Sequence, residues 1–220
     1  GTYKLKSGES LTFDAVFQAC RLTEAPQVAD VDAEYAARRA FVENDIDSAL
    51  ILATPDQVVN TMLRYAKIRA SESICKTSGG YMHAPGGESY YAAIWANDQA
   101  EYVNPFFPYL GYAVGNESAM NSFRHFARFM NDEWKPIPSS IIAEGKDIWN
   151  GAGDRGDAAM IAYGASRYAL AMGDKTVAKA LWPLIEWCLE YCDRKLNDGG
   201  VVTSDTDELE NRCPSGEANL

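Results

Sequence analysis

Three stretches of this 220-residue chain gather side chains whose types and spacing could do chemistry. The first is Trp95-Ala-Asn-Asp98, with Tyr90 and Tyr91 before it and Asn104, Phe106, Phe107 and Tyr109 after it. A carboxylate beside a Trp can accept two hydroxyl hydrogen bonds while the indole covers the apolar face of a ring. An Asp at the start of an apolar, aromatic helix is costly to bury without such a task. The plainer alternative is that Asn97 or Asp98 only satisfies nearby backbone. The second stretch, Glu144 to Asp157, packs four acids, two bases, Trp149 and four glycines into fourteen residues. Asp157 is a natural N-cap for the helix that follows. Trp149 and Arg155 have no such simple role. They suit the floor of a saccharide subsite, with Arg155 as a fixed donor and Asp154 beside it.

The third stretch is Ser204-Asp205-Thr206-Asp207-Glu208-Leu209-Glu210-Asn211-Arg212. Four carboxylates within six residues repel one another, so at least one proton is expected to be held more tightly than usual. Hydrolysis of a glycosidic bond needs that asymmetry: one carboxylic acid to protonate the leaving oxygen and one ionised carboxylate opposite. A solvated acidic turn is the plain alternative. The spacing excludes an EF-hand loop.

The bulk numbers narrow the partners. A hydrophobic content of 47% with 23% charge is that of a globular protein, and the net charge of −11 argues against nucleic acid or an anionic membrane surface. No apolar run approaches the ~20 residues of a membrane span. The N-terminus shows no signal-peptide core, so it does not reveal a compartment; a periplasmic or secreted location is expected over a cytoplasmic one. The five cysteines are odd in number and lack CxxC spacing, and Cys188 and Cys192 read as small apolar packers on one helix face. His83 and His125 have no metal-ligand spacing; neither a metal nor a cofactor is expected.

Elements must position these loops. Residues 1–23 alternate over Leu11, Phe13, Ala15 and Phe17 and read as one or two terminal strands of an N-terminal β-domain. Residues 24–53 form a connector containing the helical stretch EYAARRAFVEND. From residue 54 the pattern is helical. Thr54 is the expected N-cap of a first helix, with Pro55 and Gln57 completing the signature and Val58, Val59, Met62, Leu63 and Ala66 as its apolar stripe. Asn116 is expected to cap a second, burying Met120, Phe123, Ala127 and Met130. Asp174 caps a third after Gly173 ends its predecessor, and Pro183 is expected to kink or restart it. Helices starting near 90, 157 and 216 are more apolar all round, as inner helices are. Outer and inner helices alternating about every sixty residues describe a double-layered α/α toroid. Residues 54–220 hold about three hairpins, so this chain is expected to be a segment of a larger protein.

The helical alternation together with WANDQAEY, GAGDRGDAAMIAYG and DTDELENRCPSGEANL resembles the six-hairpin glycosidase superfamily of glucoamylases, trehalases, debranching-type α-glucosidases and rhamnosidases. LKSGESLTF resembles the end of the β-sandwich that often precedes such barrels. The resemblance implies a mainly α fold, the first half of an (α/α)6 barrel. It implies that Trp95 and Asp98 bind the sugar at the cleavage point, although the usual Arg before the Asp is here Asn97. It implies a general acid at Glu208 or Glu210, with Glu208 favoured for its pairing with Arg212. It places the general base in the other half of the barrel, which becomes a required partner. The expected function is inverting hydrolysis of an oligo- or polysaccharide. A non-catalytic glycan-binding toroid and a polysaccharide lyase are the alternatives, the latter disfavoured by the acidic balance.

Overall fold

The computed structural model describes residues 2–18, 20, 22–84, 93–142 and 153–205. It is mainly helical, with two small antiparallel sheets, and divides into two compact units, Gly1–Asp45 and Ile46–Leu220. In the first, helix α1 (Val31–Ala40) begins at Asp30, whose carboxylate accepts the Ala33 amide at 3.1 Å. The strands expected over residues 1–23 do not form among the described residues, which show only turns at Ser7–Gly8 and Leu22–Thr23. Leu11, Phe13 and Phe17 are all exposed. Alternation prepares a strand, but a strand needs a neighbour to satisfy its backbone groups.

In the second unit, helix α2 spans Gln57–Glu72 and is capped by Asp56, which accepts the Val58 amide at 2.8 Å. The expected cap, Thr54, is instead engaged with Asn60: its amide donates to Asn60 Oδ1 at 2.9 Å, and Asn60 Nδ2 donates back to the Thr54 carbonyl at 3.0 Å. The helix therefore starts two residues late, and Pro55 lies before the cap. Strands β1 (Ile74–Thr77) and β2 (Gly80–His83) form a hairpin against helix α4 (Ala113–Ala127). Ser118 Oγ accepts the His83 amide at 2.7 Å, and Asn121 donates to the Tyr81 carbonyl. Helix α4 starts at Tyr112, ahead of the expected cap Asn116, whose carbonyl and side chain both accept from the Tyr168 hydroxyl. Its buried face holds Ala119, Phe123 and Phe126, with Met120, Ala127 and Met130 packed beside them as the periodicity predicts.

The inner helix expected near residue 90 is replaced by strand β3 (Ala93–Trp95), paired antiparallel with β4 (Ser140–Ile142) so that Trp95 faces Ser140. Helical structure follows only in pieces: a π-helical turn at Asp98–Val103, a 3-10 turn at Asn104–Phe106 and helix α3 (Phe107–Leu110), ended by Gly111 at φ 63°. Pro105 and Pro108 lack the amide that a continuous helix would use.

Helices α5 (Asp157–Met172) and α6 (Lys175–Arg194) pack together as a hairpin. Gly173 ends α5 at φ 62°, and Asp174 caps α6 by accepting the Thr176 amide at 2.7 Å, both as expected. Helix α6 runs unbroken through Pro183. Gly156, at φ 88°, caps α5, which places Asp157 one residue inside the helix. Helix α5 is not enclosed on all sides by described residues: Tyr163 and Leu170 are exposed. Its other face meets the Asp98–Val103 turn so closely that a Cβ at Gly164 would collide with the Ala100 carbonyl. The core comprises Ile94, Phe107, Phe123, Phe126, Ile141, Ile161, Tyr168, Leu184 and Tyr191.

Candidate functional site

The described ends of two of the three chemically suggestive stretches, residues 153–157 and 204–205, meet at one end of the α5–α6 hairpin. After α6 the chain turns back through Asn197–Gly200, and a bridge pairs Leu196 with Val202. The Thr203 amide then donates to the Lys195 carbonyl at 2.9 Å, which delivers Ser204 and Asp205 to the loop ahead of α5. There Asp154 and Asp205 exchange hydrogen bonds across 51 positions. The Asp205 amide donates to the Asp154 carbonyl at 2.9 Å, and the Asp154 amide donates to Asp205 Oδ2 at 3.0 Å.

The Asp154 carboxylate points inward and the residue is only 2% exposed. Its Oδ1 accepts the Gly156 amide at 2.9 Å, and its Oδ2 accepts the Tyr191 hydroxyl at 2.5 Å. Burial raises the Tyr191 pKa, reinforced by the hydrogen bond to Asp154 and by the charges of Asp154 and Asp205, so Tyr191 remains a neutral donor. Asp157, 1% exposed, accepts the Arg155 amide at 3.2 Å and tightens the same turn.

Cys188 and Cys192 line α6 beside this cluster as free thiols. Burial, with Cys192 and Asp157 nearby, raises the Cys188 pKa; burial, with Asp154 nearby, pushes Cys192 up to about 11. Both stay protonated at neutral pH, unsuited to nucleophilic work and consistent with apolar packing. Among the described residues no cluster of His, Cys, Asp and Glu could hold a metal. No described helix is long and apolar enough to cross a membrane.

Trp95 and Asp98 flank the step from β3 into the π-helical turn, and both are half-buried. Trp95 pairs with Ser140 on β4. π-Helical turns are rare and recur at functional sites. Trp149, Glu208 and Glu210 lie outside the described residues. Arg155 is half-buried in the turn between Asp154 and Asp157.

His83 is held in place: Gln99 Nε2 donates to its carbonyl at 2.7 Å, and its ring meets Phe107 edge-on. Burial lowers its pKa to about 4, so it is neutral at physiological pH. His125 sits with Nε2 3.2 Å from the Gly79 carbonyl. Both histidines serve packing and hairpin contacts.

No protein-family model and no curated protein matches this chain. Sequence reasoning missed Tyr191, although a signal was available. Leu181, Leu184, Cys188 and Tyr191 follow helical spacing on the buried face of α6, and a tyrosine at a core position requires an acceptor for its hydroxyl.

Proposed function

We propose that this chain carries part of the active site of an inverting glycoside hydrolase built on an (α/α)6 toroid. Glu208, or failing it Glu210, protonates the leaving oxygen. Trp95, Asp98, Trp149 and Arg155 form the sugar-binding wall; Asp154, expected there from its place beside Arg155, is buried with both carboxylate oxygens engaged and holds the turn instead. The carboxylate that activates water stands across the sugar, at the ~6.5–9.5 Å separation of inverting enzymes, and is supplied by the rest of the ring. The observation that carries this reading is the reciprocal bonding of Asp154 and Asp205. It ties the loop of Arg155 to the chain that enters the acid-bearing segment, as a binding wall and a proton donor on one sugar require.

The test uses the protein that contains this chain together with the rest of the ring, a panel of oligosaccharides, and release of reducing sugar. Glu208→Gln should lower kcat by about 10²–10⁴-fold while oligosaccharide binding persists, the scale of general-acid catalysis. Near-normal rates would remove Glu208 from the role and pass the question to Glu210→Gln. An unsaturated product seen by absorbance would make the protein a lyase. Binding without cleavage by the wild type would make it a glycan-binding scaffold.

A further inference from the structure

The segment leading into α2 is held in a posture that its own residues resist. Leu50 has φ 37°, a left-handed conformation that a bulky side chain rarely adopts, and such strain gathers at ligand sites. Lys67 enforces the bend. The residue is buried on α2, and its ammonium donates to the carbonyls of Ile46 at 2.8 Å, Ala49 at 2.6 Å and Leu50 at 3.2 Å. With those carbonyls drawn inward, Leu50, Ile51 and Leu52 stand exposed along one side of a cleft of about 350 Å³, whose other side is the first half of α2.

The cleft joins an apolar wall to an unused cationic edge. Asp47 takes the Arg64 guanidinium side-on, accepting Nε at Oδ1 and Nη2 at Oδ2, both at 2.7 Å. Those bonds hold the Asp47 carboxyl below its usual range, so it stays ionised and keeps the guanidinium oriented. Nη1 and the second hydrogen of Nη2 are left as a further fork, matched to another carboxylate. Among the described residues that fork has no protein partner, and neither has the side-chain amide of Gln57, which also lines the cleft. Arg64 and Lys67 set against Asp47 leave the lining with one positive charge, in a chain whose net charge is −11. At roughly 30 Å³ for each heavy atom, the space suits a ligand of about a dozen.

We propose that this cleft binds a small organic anion, a carboxylate carrying a short alkyl or aryl group. The carboxylate sits on the free edge of Arg64, and the apolar group lies against Leu50, Leu52 and Leu63. Every residue of the site belongs to the second unit, and the site stands whether or not the protein cleaves glycosides.

The probe is 3-phenylpropanoate, titrated into the intact protein by calorimetry. A Kd on the order of 1 mM or tighter is expected for a ligand of that size. Amide hydrogen exchange should slow over 46–52 and 57–67 in its presence while α6 is unchanged, which locates the site. The alcohol 3-phenylpropan-1-ol keeps the ring without the charge and should bind about tenfold more weakly. Arg64→Gln should weaken the carboxylate about tenfold and leave the alcohol unaffected. Should Arg64→Gln disturb α2 itself, Ile51→Glu replaces it: Ile51 is 76% exposed, and a carboxylate at the mouth should lower affinity for the probe where Ile51→Gln does not. No saturable binding at any soluble concentration overturns the site, as does protection confined to other segments. Equal affinity for the carboxylate and the alcohol, or affinity indifferent to both substitutions, overturns the assignment of an anion.

Discussion

Helices α2 and α6 begin alike and end up in opposite situations. Each is capped by an Asp whose carboxylate accepts the amide two residues on, and each carries an apolar stripe at helical spacing. On α6 the stripe is spent on the core: Leu181, Leu184, Ile185, Cys188 and Tyr191 are buried. On α2 the stripe is left in the open, with Val58 66% and Met62 65% exposed, and the buried residues are Lys67 and Ser71. Periodicity therefore reveals that a helix owns an apolar face; it does not reveal which face the rest of the chain will cover. What decides is topology. Helix α6 is tied to α5 by a two-residue connection, whereas α2 is followed by a hairpin that packs on α4.

The sharpest way to break this contrast is at its buried pole. Leu184 is 3% exposed on α6, and Leu184→Ala should cost about 2–5 kcal/mol, because the lost transfer energy is joined by a cavity that the hairpin cannot fill. Urea denaturation followed by far-UV circular dichroism measures it. A loss below about 1 kcal/mol would mean that the α5–α6 interface is looser than its burial implies.

An intermediate effect is expected where α2 does bury something. Lys67 is 4% exposed, and its ammonium donates to the carbonyls of Ile46 at 2.8 Å, Ala49 at 2.6 Å and Leu50 at 3.2 Å. Burial lowers its pKa, while Asp47 nearby works the other way. Its three donors match three acceptors, so it acts as a polar clamp on the 46–50 turn. Lys67→Met keeps much of the length and removes the donors. The orphaned carbonyls should cost about 1–3 kcal/mol in the same denaturation experiment. A neutral outcome would show that water readily takes over those carbonyls.

The two helices also show how far the sequence could be read. Gly173 and Asp174 were legible because a left-handed C-terminal glycine followed by an N-capping Asp is a purely local signal, and the face of α4 was legible because its partners are all within the unit. The cap of α2 was misplaced because Asn60 competes for Thr54, a side-chain choice that spacing cannot rank. The strands expected at the start lacked a partner. The start of the WANDQAEY segment became a strand because Ser140–Ile142, 45 or more residues away, pairs with it. For the site, the chemistry of Asp154 and Asp205 could be suspected from composition. Their mutual bonding could not, since it depends on a turn after α6 that brings residues 51 apart together. Tyr191 was hidden for the same reason: its meaning lies in a partner on another element.

The smallest expected effect is the most diagnostic for the exposed pole of the comparison. Met62→Gln keeps a long, unbranched side chain of similar helix propensity, so the helix itself should be indifferent to the change. With most of the side chain already in water, little apolar burial is lost in the variant, and the stability should stay within about 0.5 kcal/mol of wild type. The same substitution chemistry at Leu184 would place a polar group in the core, so the pair measures burial and not residue type. A Met62→Gln cost above about 1 kcal/mol, or one that grows with protein concentration, would show that the α2 stripe is covered in solution. In that case the contrast between α2 and α6 would concern which partner covers each helix rather than whether one does.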